Sequence, residues 1–306
     1  MDDVPDSYWK ALQQFAAKIG ASSQSIQDGS GARQMSAEDR AFLEAAMSEL
    51  VSATDPKTSL NLNAPTQEEK DVGEEELERL EELCHDVDCA SDFHKIGGYR
   101  LLVPLISSQY SMFRAGAGGL VGVLAQNHDY SQMELEKAGI LPLMLELMEK
   151  DKVDTVQLKA LFAVSNLTRS QRSSMLEEFD ACDGLRRTLS AMRAAKSPRF
   201  LAKAAFFLNN LARDAHLRDE SLTLDTVDLL VDCLQRKNRD SILVENALRA
   251  LIELCSTYEN AAEACRNFEH LPAVLSDLNQ DPVFEAEEDL IATFQRMITC
   301  SDEGKD

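Results

Sequence analysis

Apolar residues recur along this chain at helical spacing, and five short phrases of similar pattern divide it at near-even intervals. GYRLLVPLI from Gly98, GILPLMLEL from Gly139, DGLRRTLSAM around Gly184, TVDLLVDCL from Thr226 and HLPAVLSDL from His270 follow one another at offsets of 41, 45, 42 and 44 residues. Each phrase predicts a helix start. Gly stands before the first turn in three of them, and Pro142 or Pro272 sits near the opening, where a missing N–H costs nothing. Longer helices are predicted between them, over 113–127, 155–169, 199–213 and 243–257. Ser197-Pro198 supplies an N-cap followed by Pro at the first helical position. A final helix is predicted over 283–300, with Glu285, Glu287 and Glu288 outward and Leu290, Ile291, Phe294, Met297 and Ile298 inward.

A period of about 40–47 residues with two or three helices is that of armadillo and HEAT solenoids, in which each unit buries its apolar face against its neighbours. The expected fold is therefore all-α: an armadillo-like solenoid of about four repeats with helical caps. Upstream the pattern changes. Tyr8, Trp9, Leu12, Phe15, Ala16 and Ile19 predict a short amphipathic helix over 6–20, holding the single Trp. A Ser/Gln/Gly linker follows over 22–34, too polar to order itself. Ser36 and Asp39 open a second helix, and a further polar stretch leads to Thr66 and Glu69 as the next start signal. The expected divisions are a flexible extension over 1–65, a helical cap over 66–96, repeats over 97–270, and a terminal cap with an acidic tail over 271–306.

Two helices carry the same stripe. KALFAVSNLTR at 159–169 and KAAFFLNNLAR at 203–213 match at an offset of 44. Lys159, Phe162, Asn166 and Arg169 fall on one helical face, as do Lys203, Phe206, Asn210 and Arg213, while the remaining positions are mostly apolar. Asn offers a donor and an acceptor able to hold main chain of any sequence, and Lys and Arg add charge-assisted bonds to carboxylates. This ladder is the predicted working surface. The preceding helix keeps only Asn127 of the set, and the following one offers Asn246, Arg249, Glu253 and Ser256.

Charge sharpens the picture. The net charge of −22 over 306 residues argues against nucleic acid, whose phosphates most of this surface would repel. The middle differs: from Gly97 to Arg213 there are fifteen Lys/Arg against eleven Asp/Glu, and the segments 155–169 and 199–213 hold no acid. A mildly basic surface inside an acidic molecule suits a partner with an acidic patch. The seven cysteines are an odd number, and Cys84, Cys233, Cys255 and Cys265 sit in apolar helical context, as small buried hydrophobes do in a reducing compartment. No apolar run is long enough to span a membrane and no secretory leader pattern opens the chain, so a soluble cytoplasmic monomer is expected.

Other chemistry fails on spacing. Cys84, His85, Cys89 and His94 have metal-binding composition, but on one helix Cys84 and Cys89 point about 140° apart at 100° per residue, and the spacing fits no zinc motif. Gly116-Ala-Gly-Gly119 has neither a preceding strand nor a following Lys-Ser/Thr, so it is expected to let two helices pack closely rather than to hold phosphate. Asn166-Leu-Thr168 fits a glycosylation sequon in mid-helix, where it is expected to be silent. No nucleophile–base pair emerges, and neither an enzyme nor a cofactor is expected.

The residues LEELCHDVDCASDFHKIGG at 80–98, QLKALFAVSNLTR at 157–169, KAAFFLNNLAR at 203–213, MSAEDRAFLEAAM at 35–47 and the closing Cys300 together resemble the Hsp70-binding protein one family. That resemblance covers nearly the whole chain. It implies a cytosolic armadillo co-chaperone that grips one lobe of the ATPase domain of a heat-shock 70 kDa chaperone through its concave face and promotes ADP release. It implies partner contacts at Lys159, Phe162, Asn166, Arg169, Lys203, Phe206, Asn210 and Arg213, flanked by Asn127 and Glu253. The alternative from the residues is a generic armadillo adaptor for an extended peptide, a class that usually stacks more repeats and carries groove Trp residues.

Overall fold

A computed structural model describes residues 74, 77–78, 80–82, 84–95, 97–126, 128–169, 173–213 and 220–299, and every regular element among them is helical. The two helices expected within 1–65 lie outside the described residues. Either side of the Cys182–Asp183 peptide the described chain forms a compact unit.

The first unit contains α1 (Val87–Lys95), a 3-10 turn (Gly98–Leu101), α2 (Leu102–Ile106), α3 (Ser111–Ala125), α4 (Asp129–Lys137), α5 (Ile140–Lys150), α6 (Asp154–Thr168) and α7 (Ser173–Ala181). Its broadest contact is α3 against α6, with α5 packed on α6 as well. Phe113, Leu120 and Leu124 of α3, Met144 and Met148 of α5, and Leu161, Val164 and Leu167 of α6 are all buried. Full burial of such a side chain stabilises by about 1.5–3 kcal/mol. Arg114 of α3 fixes the approach to α6. Its Nε donates to Asp151 Oδ2 at 2.6 Å, Nη2 to Asp151 Oδ1 at 3.2 Å, and Nη1 to the carbonyls of Ser108 and Gln109. Asp151 Oδ1 also accepts from Val153 N, so one carboxylate shapes the turn into α6.

The second unit contains α8 (Gly184–Ala194), α9 (Pro198–Arg213), α10 (Glu220–Gln235), α11 (Ser241–Thr257), α12 (Glu259–Arg266), α13 (Leu271–Gln280), a 3-10 stretch (Pro282–Glu287) and α14 (Glu288–Thr299). Here α9 packs most broadly on α11, and α14 also leans on α11. Phe200, Phe207 and Leu211 of α9, Leu248, Leu251 and Leu254 of α11, and Ile291 and Phe294 of α14 are buried. The Asp240 carboxylate caps α11 by accepting from Leu243 N at 2.8 Å.

Three details correct the sequence reading. In the three phrases that carry Gly, the left-handed residue is Gly97 (φ 85°), Gly139 (φ 64°) and Asp183 (φ 54°), so in two of the three the turn lies one residue ahead of the aligned Gly. The helix expected over 283–300 is broken: Pro282 and the capping carboxylate of Asp281 start a 3-10 turn, Phe284 leaves helical geometry, and α14 begins at Glu288. That break turns Glu287 inward to 5% exposure, where burial raises its carboxyl pKa above the ordinary value. Cys84, Cys233 and Cys265 are buried as expected, and burial pushes the Cys233 thiol up to about 12, but Cys255 is only half-buried. No described helix is long and apolar enough to cross a membrane.

Candidate functional site

Each stripe lies within its own unit. On α6, Lys159 Nζ donates to both carboxylate oxygens of Glu81, at 2.6 and 2.9 Å. Phe162 is half-buried, and its ring occupies the space that a Cβ on Gly122 would need. Asn166 is 5% exposed, and its Nδ2 donates to the Gly122 carbonyl at 3.1 Å. Thus three members of the first stripe bind within the unit, while Arg169, the C-cap of α6, is exposed. The glycines of α3 are the cause. A Cβ on Gly118 would come within 3.1 Å of the Lys159 carbonyl carbon, and one on Gly119 would strike the Glu81 carboxylate. The small-residue run brings α3 and α6 close, as its composition predicted. The same burial of Asn166 encloses the glycosylation sequon, whose Thr168 Oγ1 donates to the Val164 carbonyl.

On α9 three of the four matching residues, Lys203, Phe206 and Arg213, face outward. Lys203 and Arg213 are exposed, Phe206 is 41% exposed, and Asn210 is half-buried with its Nδ2 enclosed and without a hydrogen-bond partner among the described residues. Phe206 and Arg213 line a pocket of about 340 Å³ together with Asn209, Arg249, Ile252, Glu253 and Leu290. Asn209 organises its wall. With the amide oriented by its neighbours, its nitrogen donates to the Arg249 carbonyl at 3.2 Å and its oxygen accepts from Arg213 Nη2 at 3.1 Å. Arg249 Nη2 is held at 2.9 Å by Glu245, one turn earlier on α11. The pocket therefore joins an apolar floor of Phe206, Ile252 and Leu290 to two guanidinium groups and the Glu253 carboxylate. Such a surface suits a protein segment carrying an apolar side chain beside a carboxylate.

Of the ten residues singled out from the sequence, Phe206, Arg213 and Glu253 meet in this pocket, and Asn127 lies outside the described residues. The pocket also holds Arg249, already noted on the helix over 243–257, and Asn209, Ile252 and Leu290, which were not among the expected contacts. Arg249 stands on the fourth stripe and was legible there. Asn209 was hidden by its neighbour Asn210, which matches Asn166 in register. Leu290 reaches the pocket only because α14 packs back on α11. The metal-like cluster is differently employed: His94 shares a hydrogen bond with Tyr130 Oη at 2.6 Å and faces Glu134 at 3.3 Å.

No family model matches the chain. It is 32% identical over 193 residues to Hsp70-binding protein 1 of Macaca fascicularis, an alignment covering 62% of this chain and 52% of that protein. It is 28% identical over 101 residues to the Hsp70 nucleotide exchange factor FES1 of Coccidioides immitis, covering 33% of this chain and 48% of that protein. The chain thus spans about half the length of these curated relatives. Among solved structures, a designed armadillo repeat protein superposes with a TM-score of 0.59 at 16% identity, over 78% of this chain and 96% of that one. The fold class is therefore all-α and armadillo-like, and the chain is similar to Hsp70-binding protein 1 over 62% of its own length, in line with its sequence resemblance.

Proposed function

We propose that this chain is a co-chaperone that binds the ATPase domain of a heat-shock 70 kDa chaperone and accelerates ADP release. The homology to Hsp70-binding protein 1 and to an Hsp70 nucleotide exchange factor carries this reading, and the Phe206–Arg213 pocket supports it by offering an apolar and cationic contact surface. In energetic terms the protein binds the open conformer of the ATPase domain better than the ADP-closed one. Nucleotide and exchange factor then weaken each other reciprocally, by about 1–3 kcal/mol in typical couplings. No step asks this chain for covalent chemistry.

Phe206 and Arg213, with Glu253 and Arg249 beside them, form the primary contact in this proposal. Lys203 and Asn210 of α9 extend it, and Arg169 of the first unit is proposed as a separate contact. The protein acts as a cytoplasmic monomer, and residues 1–65 serve as an extension to the folded body of 66–306.

The test is release of a fluorescent ADP analogue from a cytosolic heat-shock 70 kDa chaperone, followed by stopped flow. Acceleration by the wild-type chain, lost in Arg169→Glu with Arg213→Glu and reduced in Phe206→Ala at unchanged helical content, is the expected result. No acceleration and no binding to the ATPase domain overturns the reading.

A further inference from the structure

Cys255 lies near the end of α11 and Cys265 near the end of α12, and Tyr258 joins the two helices with a single residue. That turn brings the two Sγ atoms to 3.7 Å. Cys265 is 1% exposed, whereas Cys255 is half-buried, so Cys255 is the more accessible residue of the two. The hydrogen bond between them holds the Cys255 thiol below its ordinary pKa, against the opposing effect of burial, and Arg266 pulls in the same direction. The same bond holds Cys265 up. The two shifts run in opposite directions and favour Cys255 over Cys265 as the sulfur that meets an electrophile.

We propose that Cys255 and Cys265 form a peroxide-oxidisable dithiol, with Cys255 as the attacking sulfur and Cys265 as the resolving one. The Cys255 thiolate attacks one oxygen of hydrogen peroxide. An S–O bond forms, the O–O bond breaks, and hydroxide leaves to take a proton from solvent; sulfur is oxidised by two electrons to the sulfenic acid. Cys265 sulfur then attacks Cys255 sulfur. The S–S bond forms, the S–O bond breaks, and the departing hydroxide combines with the Cys265 proton as water. Two thiols and one peroxide thus give one disulfide and two waters. A disulfide needs about 2.0 Å between sulfurs, so the pair closes by roughly 1.7 Å, within reach of side-chain rotation. The bond ties the end of α11 to α12, two residues beyond Glu253 of the pocket. The inference does not depend on the chaperone reading, because thiol chemistry is measured on the chain alone.

The full chain is reduced, freed of reductant, exposed to one equivalent of hydrogen peroxide, unfolded in N-ethylmaleimide and digested with trypsin. Cleavage after Arg249 and Arg266 leaves both cysteines in one peptide, 250–266. The expected product is that peptide, two hydrogens lighter and unlabelled, with the Cys182 and Cys233 peptides labelled. In Cys265→Ser the reaction stops at the sulfenic acid, which dimedone captures on Cys255; in Cys255→Ser, Cys265 remains a thiol. On the unoxidised wild type, N-ethylmaleimide at slightly acidic pH is expected to label Cys255 several-fold faster than Cys182. A fully labelled 250–266 peptide after peroxide, a disulfide from either cysteine to a third, or equal labelling of Cys255 and Cys182 overturns the proposal.

Discussion

Two eleven-residue phrases that share Lys, Ala, Phe, Asn, Leu and Arg in register, one on α6 and one on α9, meet two different fates. On α6 the Lys, Phe and Asn are taken up inside the first unit by Glu81, the Gly122 ring space and the Gly122 carbonyl. On α9 the corresponding Phe opens to solvent and the Arg lines a pocket. Side-chain identity does not account for this, because it is shared. The neighbouring helix does. α3 presents glycines, so α6 sinks toward it and its stripe is consumed by packing. α11 presents Arg249, Ile252 and Glu253 along its face toward α9, and these residues enclose a recess rather than fill it.

The contrast is most severely tested at Gly118, where a side chain meets backbone that cannot swing aside. Gly118→Leu is expected to lower the unfolding free energy by about 3 kcal/mol in urea titration, although replacing a helical glycine ordinarily stabilises. A loss below about 1 kcal/mol would mean that α3 and α6 tolerate separation.

The two phenylalanines come next. Phe162→Ala should cost about 2–3 kcal/mol, as a packed ring does, and Phe206→Ala less than about 1 kcal/mol. Binding to the chaperone ATPase domain should show the reverse order. Equal stability losses would erase the distinction between inward and outward stripes.

Asn166→Ala removes the donor to the buried Gly122 carbonyl and is expected to cost about 1–2 kcal/mol, whereas Lys203→Ala, at an exposed site, should leave the midpoint unchanged. Lys159→Met should cost less than Asn166→Ala. Its ion pair with Glu81 is 40% and 19% exposed at the two side chains, so the loss should be no more than about 1 kcal/mol and should shrink as salt rises.

Much of the fold was legible because helical periodicity and a regular interval both survive in the sequence. The four long helices begin and end within two residues of where apolar spacing placed them. What escaped was local chemistry at helix starts. Asp183 adopts the left-handed geometry that a Gly was expected to take one residue later, and Asp281-Pro282 opens a short turn where a continuous helix was expected. The pocket was half legible. Phe206, Arg213 and Glu253 lie on recognisable stripes, but Leu290 arrives from a helix far along the chain, and no periodicity within α9 or α11 encodes its arrival.

The glycines of α3 also carry a genetic consequence. Every glycine codon begins with two guanines, so a single base change that alters the residue yields only Ala, Val, Asp, Glu, Ser, Cys, Arg or Trp, or a stop. Each of these amino acids brings at least a Cβ, and at Gly122 even that one carbon meets the Phe162 ring. No point mutation that changes this residue leaves the α3–α6 contact as it stands. That constraint falls on a helix with no member of the candidate pocket.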